Sequence, residues 1–220
     1  MNSPLSVDRS SPARIAAAAI AALGWAAIGT QVPLTLSDAS AAGNPAWLGL
    51  LNLFSYFTIL TNVAVAVAAT VAARGNAGSF WARPGVRAAL ALYIIIVGLI
   101  YQTLLRGLVP MAGTRLVIDT IFHAVIPIAW PLWWLAFGRG PSHLPWRAGL
   151  RWLVFPLAYG LYSLARGAIS GRWPYPFMNA DKLGYPQVAL NLAGMLLLFL
   201  ALALLLIALD RRLARRPAFS

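Results

Sequence analysis

The chain has 220 residues, 60% of them hydrophobic and only 10% charged, and its mean hydropathy is +0.75. Polar surface cannot cover such a composition, so an ordinary soluble domain is excluded. The net charge of +12 does not indicate nucleic acid either, because the arginines gather at the ends of apolar stretches rather than along one solvated face.

Six apolar stretches follow one another, at residues 13–36, 47–73, 86–108, 116–137, 148–168 and 186–209. Each has about the length, roughly 20 residues, that an α-helix needs to cross a hydrocarbon layer of roughly 30 Å. Turn signals separate them, among them Gly43-Asn44-Pro45, Arg83-Pro84-Gly85 and Pro110-Met111-Ala112-Gly113. The expected architecture is an all-α, six-transmembrane-helix bundle forming a single integral membrane domain over residues 1–220. The first stretch, with its basic start and the small run Ala39-Ser40-Ala41, also admits a signal-peptide reading. Its apolar run is long for a signal, and removing it would leave five spans.

The basic residues set the expected orientation. Arg9, Arg14, Arg74, Arg83, Arg87, Arg139, Arg147, Arg151, Arg211, Arg212, Arg215 and Arg216 fall on the side of the termini, and Arg106, Arg115, Arg166, Arg172 and Lys182 on the other. The positive-inside rule puts the termini in the cytoplasm. A multi-pass protein of the cell membrane, of the bacterial inner-membrane kind, is expected. The absence of cysteine removes disulfides, thiolate catalysis and cysteine-rich metal sites.

Polar residues inside the stretches carry the functional information, since each is costly in hydrocarbon. The second stretch has Asn52, Ser55, Thr58, Thr61 and Asn62 at spacings of three or four, along one side of a helix. The third has Gln102, Thr103 and Arg106 near its outer end. In the fourth, Asp119 and His123 are one turn apart on a shared face. The fifth aligns Tyr159, Tyr162, Ser163 and Arg166 in one stripe, and the sixth adds Asn191. The inner halves, such as Val63 to Val71, are almost featureless, so a polar cavity open toward the outer leaflet is expected. Taken singly, Ser55, Thr61, Asn62, Ser163 and Asn191 are also read as hydrogen-bonding glue between helices.

As chemistry, Thr58 and His123 form a candidate nucleophile and base, because a hydroxyl needs a neighbouring imidazole to become reactive. Asp119 would orient the ring or stabilise its charged form. One histidine and one carboxylate fall short of the three protein ligands of a catalytic zinc, so no metal and no other cofactor is expected. His143 belongs to a loop on the opposite side.

The run Phe54-Ser55-Tyr56-Phe57-Thr58-Ile59-Leu60-Thr61-Asn62, His123 followed by Pro127, and the fifth-stretch Pro156, Tyr159 and Tyr162 leading to Trp173-Pro174-Tyr175-Pro176-Phe177 resemble the androgen-induced membrane protein family. The similarity extends over nearly the whole chain in order and span count. Animal members of that family are threonine hydrolases of fatty acid esters of hydroxy fatty acids, with one intramembrane threonine and one histidine. The resemblance puts the threonine on Thr58, with Thr61 as the competing register, and the histidine on His123. It implies an intramembrane lipid-ester hydrolase, for which the polar residues Asn52, Ser55, Thr61, Asn62, Tyr159, Tyr162 and Arg166 are, by their polarity and depth in the stretches, the substrate-binding candidates. The loop from Gly171 to Gln187 reads either as an aromatic anchor at the membrane interface or as a lid. In the lid reading, Arg166 or Arg172 would meet a lipid carboxylate. Expected partners are a lipid or fatty acyl ester and the membrane lipids, with no nucleic acid. The competing expectation is a non-catalytic lipid-binding or carrier protein in which Asp119 and His123 handle a proton or orient a ligand.

Overall fold

A computed structural model describes residues 10–140 and 143–214. Arg9, Arg215 and Arg216, counted above among the terminal-side cations, lie outside the described residues. Among the described residues all regular structure is helical. In chain order the helices are α1 (Ser10–Ala41), α2 (Ala46–Leu53), α3 (Phe57–Arg74), α4 (Pro84–Leu105), α5 (Gly113–Gly138), α6 (Arg147–Trp152), α7 (Val154–Ser170), α8 (Ala180–Leu183) and α9 (Tyr185–Ala214).

Five of these, α1, α3, α4, α5 and α9, are long and apolar enough to cross a membrane. Two of the six expected stretches are each broken into two helices. Residues 47–73 are not one helix: α2 ends at Leu53, and α3 starts afresh at Phe57 after Tyr56 turns extended at φ −85°, ψ 131°. Residues 148–168 divide at Leu153 into α6 and a 17-residue α7. Pro156 sits in the first turn of α7, where its missing N–H leaves no bond unmade.

Contacts sort the helix ends into two groups. At one end Arg14 Nε donates to Ala73 O (2.8 Å), Trp133 Nε1 to Ala13 O (2.9 Å) and Leu144 N to Asp210 Oδ2 (3.0 Å). At the other, Arg115 grips Asp38 with two bonds of 2.8 and 2.9 Å, and Asn191 Nδ2 donates to Phe177 O (2.8 Å). Helices α6 and α7 run between the same two ends, since Leu144 lies just before α6 and Arg166 near the end of α7 bonds Asn52. Gly75, at φ +68°, and Gly171, at φ +65°, terminate α3 and α7 in the left-handed conformation that glycine adopts at least cost.

Small residues let the backbones approach: α1 lies along α3, where a Cβ on Gly24 would stand 3.1 Å from that of Ala66, and Ala17, Ala21, Ala68 and Ala69 are buried. The centre holds an aromatic plug. Phe57 packs on Tyr93, Phe155, Tyr159 and Phe199 with ring centroids 5.1 to 6.2 Å apart. Each such pair contributes about 0.5–1.5 kcal/mol beyond area burial. Buried polar groups include Ser55, Thr58, Thr61, Asn62, Asp119 and Ser163, whereas Leu132, Leu161, Leu190, Leu197 and Leu205 face outward. Apolar outside and polar inside is the arrangement a hydrocarbon solvent selects.

Candidate functional site

The interruption between α2 and α3 contains no proline or glycine, so its cause lies in side chains. Ser55 Oγ donates back to Leu51 O at 2.5 Å, a local bond that competes with the helical ladder. The carbonyl freed at Ser55 accepts the Tyr159 hydroxyl at 2.9 Å, and Ser55 Oγ meets Tyr162 Oη at 2.9 Å. One further turn along α7, Arg166 Nη2 donates to Asn52 Oδ1 at 2.5 Å. Tyr159 therefore takes up the carbonyl that the break frees, and Tyr162 and Arg166 brace the break through its side chains. Thr58 results as a residue in the first turn of a helix, with its N–H outside the ladder. That N–H points at Tyr175 Oη (3.3 Å), and Thr58 Oγ1 lies 3.4 Å from the same oxygen. Burial pushes the Tyr175 phenol above its ordinary pKa, so it keeps its proton at neutral pH and can donate it as a hydrogen bond.

The second polar group is built on two widened turns. In α4 residues Tyr101–Leu105, and in α5 residues Ile121–Val125, the helix opens to a π turn, a feature common at functional sites. Pro127 explains the second: it has no N–H for the carbonyl of His123, four residues earlier, and its ring crowds that carbonyl. The freed His123 carbonyl accepts Gln102 Nε2 at 3.4 Å. Gly98 makes room for the bend, since a Cβ there would sit 2.8 Å from Pro127 Cβ and 3.4 Å from His123 O.

His123 Nδ1 lies 2.9 Å from Asp119 Oδ1 and 3.0 Å from Asp119 O. Both neighbours are acceptors, which assigns the proton to Nδ1 and leaves Nε2 with its lone pair. The ring stacks on Tyr101 with centroids 3.8 Å apart, and the Tyr101 hydroxyl donates to Asp119 Oδ2. Among the described residues Nε2 has no hydrogen-bond partner, and the side chain is 15% exposed. An imidazole locked in one tautomer with a free, partly open Nε2 is chemically a base or a hydrogen-bond acceptor for a ligand.

Asn62 ties the two groups together: its Nδ2 donates to Thr58 O (2.9 Å) and to Phe122 O (3.4 Å), the residue before His123. Among the described residues no hydrogen bond joins Thr58 Oγ1 to His123 directly. Asn62 Oδ1, Thr61 Oγ1 and Ser163 Oγ are buried without partners, so this interior holds more polar capacity than the protein satisfies. Thr58 also lines a cavity of about 70 Å³ whose other walls are almost wholly apolar: Phe57, Ile96, Val97, Tyr159, Leu192 and Phe199 among them. Thr61 does not line it.

The structure thus brings Asn52, Ser55, Tyr159, Tyr162 and Arg166 into one network, joins Thr58 to Asn62, and pairs Asp119 with His123. Two residues were not singled out by chemistry in the sequence. Tyr175 was read only within an aromatic loop, although its position between two prolines, Pro174 and Pro176, signals a fixed turn. Tyr101 adjoins Gln102 in the sequence and has no polar spacing signal of its own.

These features are those of a helical membrane protein of the multi-pass kind, with a polar cluster at a broken helix. No family model, no curated protein and no solved structure matches the chain.

Proposed function

We propose that the chain is an intramembrane lipid-ester hydrolase that crosses the bacterial inner membrane six times, with cytoplasmic termini and a working end in the outer half. The observation that carries this reading is the His123 ring, held at Nδ1 by Asp119 and stacked on Tyr101, with Nε2 free and its turn linked through Asn62 to the turn of Thr58. In the reaction the Thr58 oxygen bonds to the ester carbonyl carbon while His123 Nε2 takes its proton. Collapse breaks the bond to the alcohol oxygen, which leaves with that proton. Water then attacks the acyl-threonine, His123 takes its proton and returns it to Thr58, and the acid departs. The N–H groups at the start of α3 and the Tyr175 hydroxyl are the donors nearest the developing oxyanion.

This chemistry requires Thr58 Oγ1 to meet His123 Nε2, directly or through one water, a contact that commonly tightens only with substrate bound. Sequence resemblance to the androgen-induced membrane protein family suggests the substrate class, fatty acid esters of hydroxy fatty acids or similar acyl esters. A second reading, a lipid-binding or carrier protein without catalysis, is favoured by the Thr58 hydroxyl facing Tyr175 and an apolar cavity instead of His123.

Labelling of the purified chain with a fluorophosphonate probe separates the two. The hydrolase reading expects labelling of the wild type and of Thr61→Ala, and none of Thr58→Ala or His123→Ala. An unlabelled wild type, or equal labelling of all four, overturns it. Topology is tested separately: the chain has no cysteine, so single cysteines at Ser79 and Lys182 report sidedness to a membrane-impermeant maleimide in intact cells. Six spans with cytoplasmic termini predict that only Lys182→Cys reacts.

A further inference from the structure

Beside the break in the helix lies a second cavity, of about 380 Å³, lined by Asn52, Tyr56, Arg166, Arg172, Trp173 and Asn179 among others. Its walls are polar where those of the Thr58 cavity are apolar. Arg166 is fixed there by Asn52 Oδ1 at 2.5 Å and the Arg172 carbonyl at 2.9 Å, which occupy Nη2 and Nη1 and leave its other N–H groups without acceptors among the described residues. The Arg172 guanidinium has no hydrogen bond and no ion pair among the described residues. The nearest carboxylate in sequence, Asp181, is engaged by Trp173 Nε1 at 2.7 Å and makes no ion pair with either arginine. Two guanidinium groups therefore share a concave polar chamber without a counter-anion. Arginine pairs of this kind recognise planar or tetrahedral oxyanions through charge-assisted bonds.

The two chambers meet at an aromatic partition. Tyr56 lines the polar one, Tyr175 the apolar one, and their rings touch edge to face at 5.7 Å. We propose that the polar chamber is a head-group site for an anionic amphiphile, whose carboxylate or phosphate bridges Arg166 and Arg172 while its chain passes the Tyr56–Tyr175 edge into the apolar chamber. The division of labour is unequal: Arg166 is a preorganised strut that also holds the helix break, and Arg172 is the adaptable contact. Gly167 preserves this geometry. A Cβ there would lie 2.2 Å from the Trp173 ring, which roofs the polar chamber. The inference shares its cavities with the hydrolase reading but requires no turnover.

The test is equilibrium binding of four probes to the purified full chain in neutral detergent: dodecanoate, dodecyl phosphate, dodecanol and inorganic phosphate. Dodecanoate and dodecyl phosphate are expected to bind, and the two single-feature probes on the order of tenfold or more weaker, since each lacks either the charge or the chain. Arg172→Gln should weaken both anionic amphiphiles on the order of tenfold while Arg172→Lys keeps part of the affinity. Leu196→Trp, which fills the apolar chamber, should weaken the amphiphiles and leave inorganic phosphate unchanged. Dodecanol binding as tightly as dodecanoate, inorganic phosphate binding as tightly as dodecyl phosphate, or an Arg172→Gln chain with wild-type affinity each overturns the proposal. A chain that binds the anionic probes yet takes no fluorophosphonate label retains the head-group site and loses the hydrolase reading, so the two fail separately.

Discussion

The first two turns of α3 and the remainder of the same helix are held in different ways. From Phe57 to Asn62 the helix starts inside the bundle, carries Thr58 and Asn62, and is met by Tyr159, Tyr175 and the turn of His123. From Val63 to Val71 it is an alanine and valine rod packed against α1, with its single hydroxyl, Thr70, donating back to Ala66 O at 2.8 Å and accepting Trp25 Nε1 of α1 at 3.0 Å. One segment is held by specific polar bonds, each worth about 0.6 kcal/mol on average in a membrane. The other is held mainly by close-packed small side chains, with one polar bond from Trp25 to Thr70. The difference teaches that the rod supplies a packed base and the broken start supplies a polar surface with backbone groups outside the helical ladder.

Several substitutions break or sharpen that contrast. The largest effect follows from the proposed hydrolase chemistry: Thr58→Ala or His123→Ala should lower ester hydrolysis by about 10³-fold or more, read as product release from an acyl ester in detergent. Asp119→Asn keeps the size of the side chain but no longer fixes the Nδ1–H tautomer, and a drop on the order of 10²–10⁴-fold is expected in the same assay. Phe57→Ala removes the centre of the aromatic plug and should cost about 3–5 kcal/mol, visible as a lower midpoint in thermal unfolding. Gly98→Val drives a side chain into Pro127 and the His123 carbonyl, with an expected cost of about 1–3 kcal/mol and a displaced imidazole. At the bottom of the range, Leu205→Ala on the outward face of α9 should leave both activity and fold as they are.

Much of this is legible in the sequence. Hydrophobic run length identified the membrane-length helices, and one-turn spacing identified the Asp119–His123 pair and the α7 stripe, because both signals are local. The break at Phe54–Tyr56 was not legible. No proline or glycine marks it, and it exists because Tyr159, Tyr162 and Arg166 reach across from a helix more than a hundred positions away. The split at Leu153 escaped for a related reason: α6 and α7 together look like one continuous apolar run, and only packing against α9 and the Tyr93 bond to Trp152 O at 2.7 Å reveal two pieces. Tyr175 was hidden as well, since a loop aromatic gives no sign in sequence of what its hydroxyl touches.

The central claim, that the broken start of α3 presents a reactive threonine, is tested most directly by tandem mass spectrometry of the fluorophosphonate-treated chain. An adduct on the Thr58 oxygen, lost in His123→Ala, is the predicted result; an adduct on Thr61 or any other residue, or none at all, contradicts it.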